Sequence, residues 1–140
     1  MTAKVIYEGD LHTVATHINS GTVIETDAPL DNGGNGESFS PTDLVAAALA
    51  SCMCTLMGLA ARKHGFELGR IECDVEKIMV ANPRRIGEVK VQLALTGRPP
   101  YSENEMAILQ RAALTCPVIE SLHPDCKKDI LFIWPKADNA

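Results

Sequence analysis

Between Leu44 and Ala61 the chain runs for 18 residues without a charged side chain, and no other segment restricts the fold as much. A membrane-spanning helix needs about 20 predominantly apolar residues. Here the run is diluted by Ser51, Thr55, Cys52, Cys54, Gly58 and many alanines, so it reads as the buried helix of a soluble protein. Its ends are marked. Ser40 is the expected N-cap, Pro41 brings a preset dihedral to the first helical position, and Asp43 stands three residues after the cap, as in a capping box. At the far end Arg62-Lys63-His64 complements the helix dipole, and Gly65 can turn left-handed. The helix should span about six to seven turns. Because its middle is apolar all round, it must be covered on most sides.

The remaining segments supply the cover. At 140 residues the chain fits a single domain, 1–140, that buries roughly two thirds of the surface its unfolded chain would expose. Lys4 to Tyr7, Leu11 to Ile18 and Thr22 to Thr26 read as a meander of short strands, with turns at Glu8-Gly9-Asp10 and Ser20-Gly21. Residues 27–40 are rich in Gly, Asn, Asp and Pro, the composition of a mobile surface loop. Ile71 to Val80 and Ile86 to Thr96 form long strands. The second carries Val89, Val91, Leu93 and Leu95 on one face and Glu88, Lys90 and Gln92 on the other, the pattern of a sheet wet on one side. Asn82-Pro83 turns between them. Ser102 begins a second helix running to about Leu114, Cys116-Pro117 opens a short third one, and Ile130 to Trp134 closes the chain as a strand. The class is α+β.

Composition excludes several functions. Net charge is −5, with six aromatic residues and no basic stripe, so nucleic acid is not an expected partner, and neither is a membrane. Five cysteines are scattered without framework spacing, and Met1 is not followed by a basic-then-apolar leader, so the expected location is the reducing cytoplasm. Charge is also unevenly distributed. Residues 1–61 carry Lys4 against Glu8, Asp10, Glu25, Asp27, Asp31, Glu37 and Asp43, while every arginine lies at or after Arg62. A cation beside Cys52 must therefore come from later in the chain or from another subunit.

Cys52, inside the apolar helix, and Cys116, opening a helix, suit thiol chemistry. A thiolate needs positive potential or hydrogen-bond donors to lower its pKa from about 8.5. Cys116 has free backbone N–H groups beside it at a helix start, so it is expected to be the easier thiolate. Cys52 lies mid-helix among apolar neighbours and needs an outside cation. Packing alone is the competing reading for each, since free cysteine is among the most buried residue types. Cys54 points about 200° away from Cys52 around the helix and is assigned to packing, as is Cys73 on the apolar face beside Ile71 and Val75. His123 and Cys126 form one His-x-x-Cys pair, too little for a metal site, so neither metal nor cofactor is expected.

At Ser40-Pro41-Thr42-Asp43-Leu44, Ala48-Leu49-Ala50-Ser51-Cys52 and Cys116-Pro117-Val118 the chain resembles the OsmC/Ohr family of thiol-dependent organic hydroperoxide reductases, over almost its whole length. The resemblance implies an OsmC-like fold, with antiparallel sheets around a long central helix in an intertwined homodimer. It implies that Cys52 is the peroxidatic cysteine and Cys116 the resolving one. Organic hydroperoxide would be the substrate and an external dithiol, lipoyl-type in characterised relatives, the reductant. The residue argument favours Cys116 as the thiolate and the resemblance favours Cys52; we follow the resemblance.

The chain also departs from the family. Thr42 stands where the best-studied members have a Glu, and no arginine precedes Arg62 to hold the thiolate. Arg84, Arg85 and Asp43 are the candidates to stand beside it, with His12 and His17 behind them. The missing partners motivate an alternative, a non-peroxidatic member binding a small apolar or electrophilic ligand at the dimer cleft. A third reading is an interaction module whose cysteines only pack.

Overall fold

The computed structural model describes residues 1–136. The chain forms two compact units, Met1–Val45 and the part from Ala46 onward, with the long helix starting in the first and continuing through the second.

The first unit is an antiparallel meander of β1 (Ala3–Gly9), β2 (His12–His17) and β3 (Val23–Asp27), with register Val5↔Ala15 and Ala15↔Ile24. Gly9, Asp10 and Leu11 all take positive φ at the first turn. Residues 28–39 are more firmly held than their composition suggests. The Asp27 carboxylate accepts the Glu37 amide (3.1 Å) and the Ser38 hydroxyl (3.3 Å), and the Asp27 amide donates to the Phe39 carbonyl. A short 3-10 turn covers Leu30–Asn32, and a Cβ on Gly34 would collide with the Ala28 carbonyl oxygen, so that close approach needs glycine. The segment expected to be mobile is thus tied at both ends through one buried carboxylate.

Helix α1 spans Pro41–His64, as its end signals predict. The capping box forms: the Ser40 hydroxyl accepts the Asp43 amide (3.1 Å), and the Asp43 carboxylate accepts the Ser40 amide (3.0 Å).

In the second unit, β4 (Arg70–Val80) and β5 (Arg85–Thr96) pair antiparallel, and β6 (Lys127–Ile133) joins β5 in parallel, giving the order β4-β5-β6. The second sheet is therefore mixed. Pairing with Glu88–Ala94 moves the last strand a few residues upstream of the predicted Ile130 to Trp134, because hydrogen bonding to a neighbour, not side-chain type, defines its ends. A bulge interrupts the β4·β5 register between Ile78 and Met79, opposite Gly87.

Helix α1 buries one stripe, Ala46, Leu49, Ala50, Met53, Met57 and Ala61, in a cluster with Val89, Val91, Leu93 and Leu95 of β5. Helix α2 (Glu103–Leu114) adds Leu109 and Ala113 to the same cluster, and its N-terminus is closed by a capping box between Ser102 and Glu105. The opposite stripe of α1, Ala48, Ser51, Thr55 and Leu59, stays exposed. The length and composition of α1 would allow it to cross a membrane, but its fully buried Leu49, Met53 and Met57 give it the position of a core helix. Tyr101 seals one end of the core. Its hydroxyl accepts the Gly69 amide at 2.9 Å, its ring meets Phe66 and Trp134 edge-on, and the Arg98 guanidinium lies 3.8 Å from the ring centre.

Leu93 is fully buried at the centre of this packing. Leu93→Ala should cost about 2–5 kcal/mol, through lost transfer free energy and the cavity left behind. The readout is a lower urea midpoint with unchanged slope; a change under 1 kcal/mol would mean that the row does not carry the core.

Candidate active site: two thiols on different helices

Cys52 occupies the middle of α1 and is half-buried, whereas Cys116 is fully buried. Cys116 is the N-cap of α3 (Pro117–Ser121), with Pro117 at the first helical position, and its sulfur accepts the Ile119 amide at 3.4 Å. The two thiols, 64 positions apart in sequence, are neighbours, close enough for Cys52 to act on the charge of Cys116.

The local electrostatics reverse one expectation. Burial pushes the Cys116 thiol up from its ordinary value, and the Ile119 and Val118 amides only partly offset this, while the neighbouring Cys52 pushes it further up. The helix start therefore does not lower the Cys116 thiol as expected. A five-residue helix offers a weak dipole, and desolvation of a fully buried sulfur outweighs it. Of the two thiols Cys116 is the fully buried one and Cys52 the more accessible.

The candidate partners of the thiolate are placed elsewhere. Arg85 opens β5 eight residues before Leu93, the cross-strand partner of Cys73. At about 3.3 Å per residue this is roughly 25 Å of strand. Cys73 in turn touches Cys54 of α1, so the hairpin end bearing Arg84 and Arg85 lies farther from Cys52 of the same chain than an arginine side chain spans. Arg84 is exposed, and the Nη1 of Arg85 is buried without a hydrogen-bond partner. Asp43 holds the N-terminal cap of α1. His17 bonds the Ser20 hydroxyl at 2.6 Å. His12 Nδ1 lies 2.6 Å from the Asp27 carboxylate, and its Nε2 lies 3.3 Å from Glu25.

Lys77 escaped the sequence reading. It stands in the row Ile71, Cys73, Val75, Lys77, Met79, on the side of β4 that faces α1, opposite the fully buried Val89. The alternation that flagged Cys73 already marked this lysine as a cation in an apolar row. His123 Nδ1 accepts the Asp125 amide, and Cys126 is buried with its sulfur donating to the Lys127 carbonyl. Among the described residues no three His, Cys, Asp or Glu side chains are grouped to hold a metal ion. A groove of about 290 Å³, lined by Asp74, Glu76, Lys90, Gln92, Asp129 and Leu131 among others, includes neither Cys52 nor Cys116.

A cysteine helix packed on a mixed sheet, with a second cysteine capping a short helix against it, defines an α+β protein with a paired-thiol centre. Comparison with known proteins gives the family. Residues 34–130 match the OsmC-like protein family. A protein of Psychrobacter arcticus 273-4, whose description links it to osmotic stress and detoxification, is 43% identical over 94% of this chain and 95% of its own, with a TM-score of 0.88. An organic hydroperoxide resistance protein OsmC of Legionella pneumophila shares the fold at 19% identity, over 95% of this chain and 97% of that one, with a TM-score of 0.74. An organic hydroperoxide resistance protein of Elizabethkingia anophelis does so at 16% identity, over 95% and 96%, with a TM-score of 0.67. No functionally curated protein matches the chain. The chain belongs to the OsmC-like family.

The His12–Asp27 pair makes a pH prediction for the first unit. His12 is raised from its ordinary value near 6.5, chiefly by the bond to Asp27, and Asp27 is lowered from its ordinary value near 3.8, chiefly by the bond to His12. The histidine's contribution to stability is fully present below about 6.5 and is lost as pH rises through its raised value. The aspartate's is present above about 3.8 and is lost as pH falls through its lowered value. The pair therefore supports the fold best between those limits. In NMR titration His12 should show a midpoint above 6.5, and Asp27→Asn should bring it down; an unchanged midpoint in the variant would show that the contact is not formed in solution.

Proposed function

We propose that the protein is a thiol-dependent peroxidase that reduces organic hydroperoxides to alcohols through Cys52 and Cys116. The observation that supports this reading is the pairing itself: a half-buried thiol on a long helix neighbours a fully buried one that burial raises from its ordinary value. The Cys52 thiolate attacks one peroxide oxygen, the O–O bond breaks, and the alkoxide leaves as alcohol after taking up a proton. Cys52 is then a sulfenic acid. The Cys116 sulfur attacks it, the S–O bond breaks, and hydroxide leaves with the Cys116 proton as water. The resulting disulfide is reopened by an external dithiol, for which a lipoyl-type reductant is our first choice. We place the protein in the reducing cytoplasm, where its cysteines would rest as thiols.

The active form in this proposal is a homodimer of single OsmC-like domains. Two observations support a second copy: the exposed α1 stripe ending at Leu59, and the outward Val5, Ile6, Tyr7, Val23 and Ile24 of the meander. Both leave apolar side chains in water that an interface would cover. The cation for Cys52 would then come from an arginine of the second subunit.

Purified protein should consume cumene hydroperoxide in the presence of dihydrolipoamide. Cys52→Ser should lower the rate at least 100-fold, and Cys116→Ser should leave a trappable sulfenic acid on Cys52. Absence of turnover by the wild type with every dithiol tried would reject the reading. A Cys52 pKa at or above about 8.5, taken from alkylation rate against pH, would favour the ligand-binding alternative that the missing Glu motivates. Sedimentation analysis of the same preparation should show a dimer, and Leu59→Glu should weaken it.

A further inference from the structure

The same helix carries a second cysteine pair. Cys54 lies two positions after Cys52 and therefore points about 200° away around α1. Its sulfur is 3.3 Å from that of Cys73 on β4, and both residues are half-buried. Helix α1 thus holds two cysteines, each facing a cysteine of a different element, Cys116 at the start of α3 and Cys73 in the sheet. Packing does not require sulfur to meet sulfur, and this contact is only a little over 1 Å longer than a disulfide bond of about 2.04 Å.

We propose that Cys54 and Cys73 form a second redox pair, which a hydroperoxide closes into an intrachain disulfide tying α1 to β4. The roles within the pair are unequal. The Cys73 thiol is pushed up to about 12, first by burial and then by its bond to Cys54, with the Asp74 charge adding. Either sulfur can donate across the 3.3 Å contact, and the raised Cys73 is the poorer thiolate, so Cys54 is assigned as the attacking sulfur. Its thiolate attacks a peroxide oxygen, the O–O bond breaks, and the alkoxide leaves as alcohol after gaining a proton. The Cys73 sulfur then attacks the sulfenic sulfur of Cys54, the S–O bond breaks, and hydroxide leaves with the Cys73 proton as water. One hydroperoxide is reduced by two electrons to alcohol and water, and two thiols are oxidised to one disulfide. Only the identity of the oxidant rests on the function proposed above. The bond would close a loop from α1 through the turn at Gly65 to β4, restraining the unfolded chain and stabilising the oxidised protein.

The experiment uses the full chain with Cys52→Ser and Cys116→Ser together, which removes the proposed catalytic pair and leaves Cys54 and Cys73. After cumene hydroperoxide, non-reducing peptide mapping should show Cys54 linked to Cys73, two titratable thiols lost, and a thermal midpoint raised by several degrees that dithiothreitol reverses. Both thiols remaining free, or Cys54 passing to sulfinic acid without a link, would overturn the proposal. If the double variant does not fold, the same mapping on the wild type decides, with Cys54→Ser as the control in which the link must vanish. Wild-type turnover without this link would reject the second pair alone. A link in the double variant without wild-type turnover would reject the peroxidase reading alone.

Discussion

The packing of one stripe of α1 against the apolar row of β5 is the constraint on which the second unit depends. Leu49, Met53 and Met57 on the helix and Val89, Val91 and Leu93 on the strand are essentially inaccessible to water. Burial of side chains of this size contributes about 1.5–3 kcal/mol each. This contact sets the rotation of α1 about its axis. Once the rotation is set, every other residue of the helix has its direction assigned, including the two cysteines that point to opposite sides.

Chemistry follows from that rotation. Cys52 and Cys54 are chemically identical and nearly adjacent, yet one meets the N-cap of a short helix and the other meets a strand. Their partners also differ from free thiols in the same direction, both raised by burial. In each pair that rise is in keeping with the resolving role proposed for the partner. The dipole at the start of α3 does not reverse this at Cys116, because a five-residue helix aligns few peptide units and the sulfur has no water around it.

Covering α1 on most sides was a demand read from composition, and the chain meets it only on one side. The sheet and α2 take the stripe through Met53 and Met57, while Ser51, Thr55 and Leu59 remain in water. A helix apolar all round but half covered fits a protein whose core is completed by association. The meander, with exposed apolar side chains on β1 and β3, fits the same need.

Much of the fold was legible in order along the chain, because its signals are local. Ser40, Pro41 and Asp43 marked the start of α1, Gly65 its end, and the alternation of Val89 to Leu95 the inward face of β5. The segment after Asp27 was read as mobile because its composition is that of a loop. What ties it down is a carboxylate meeting groups ten and more residues away, which composition does not register. The pairing of Cys54 with Cys73, the parallel entry of β6, and the separation of Arg84 and Arg85 from Cys52 are likewise contacts between distant positions. By itself the sequence determined which segments are helix and strand and which residues can carry thiol chemistry, since backbone propensity and thiol reactivity belong to the residues and their neighbours. Only the tertiary structure decided which sulfur faces which and which thiols burial raises, because distance and desolvation arise from packing between elements and not from position along the chain.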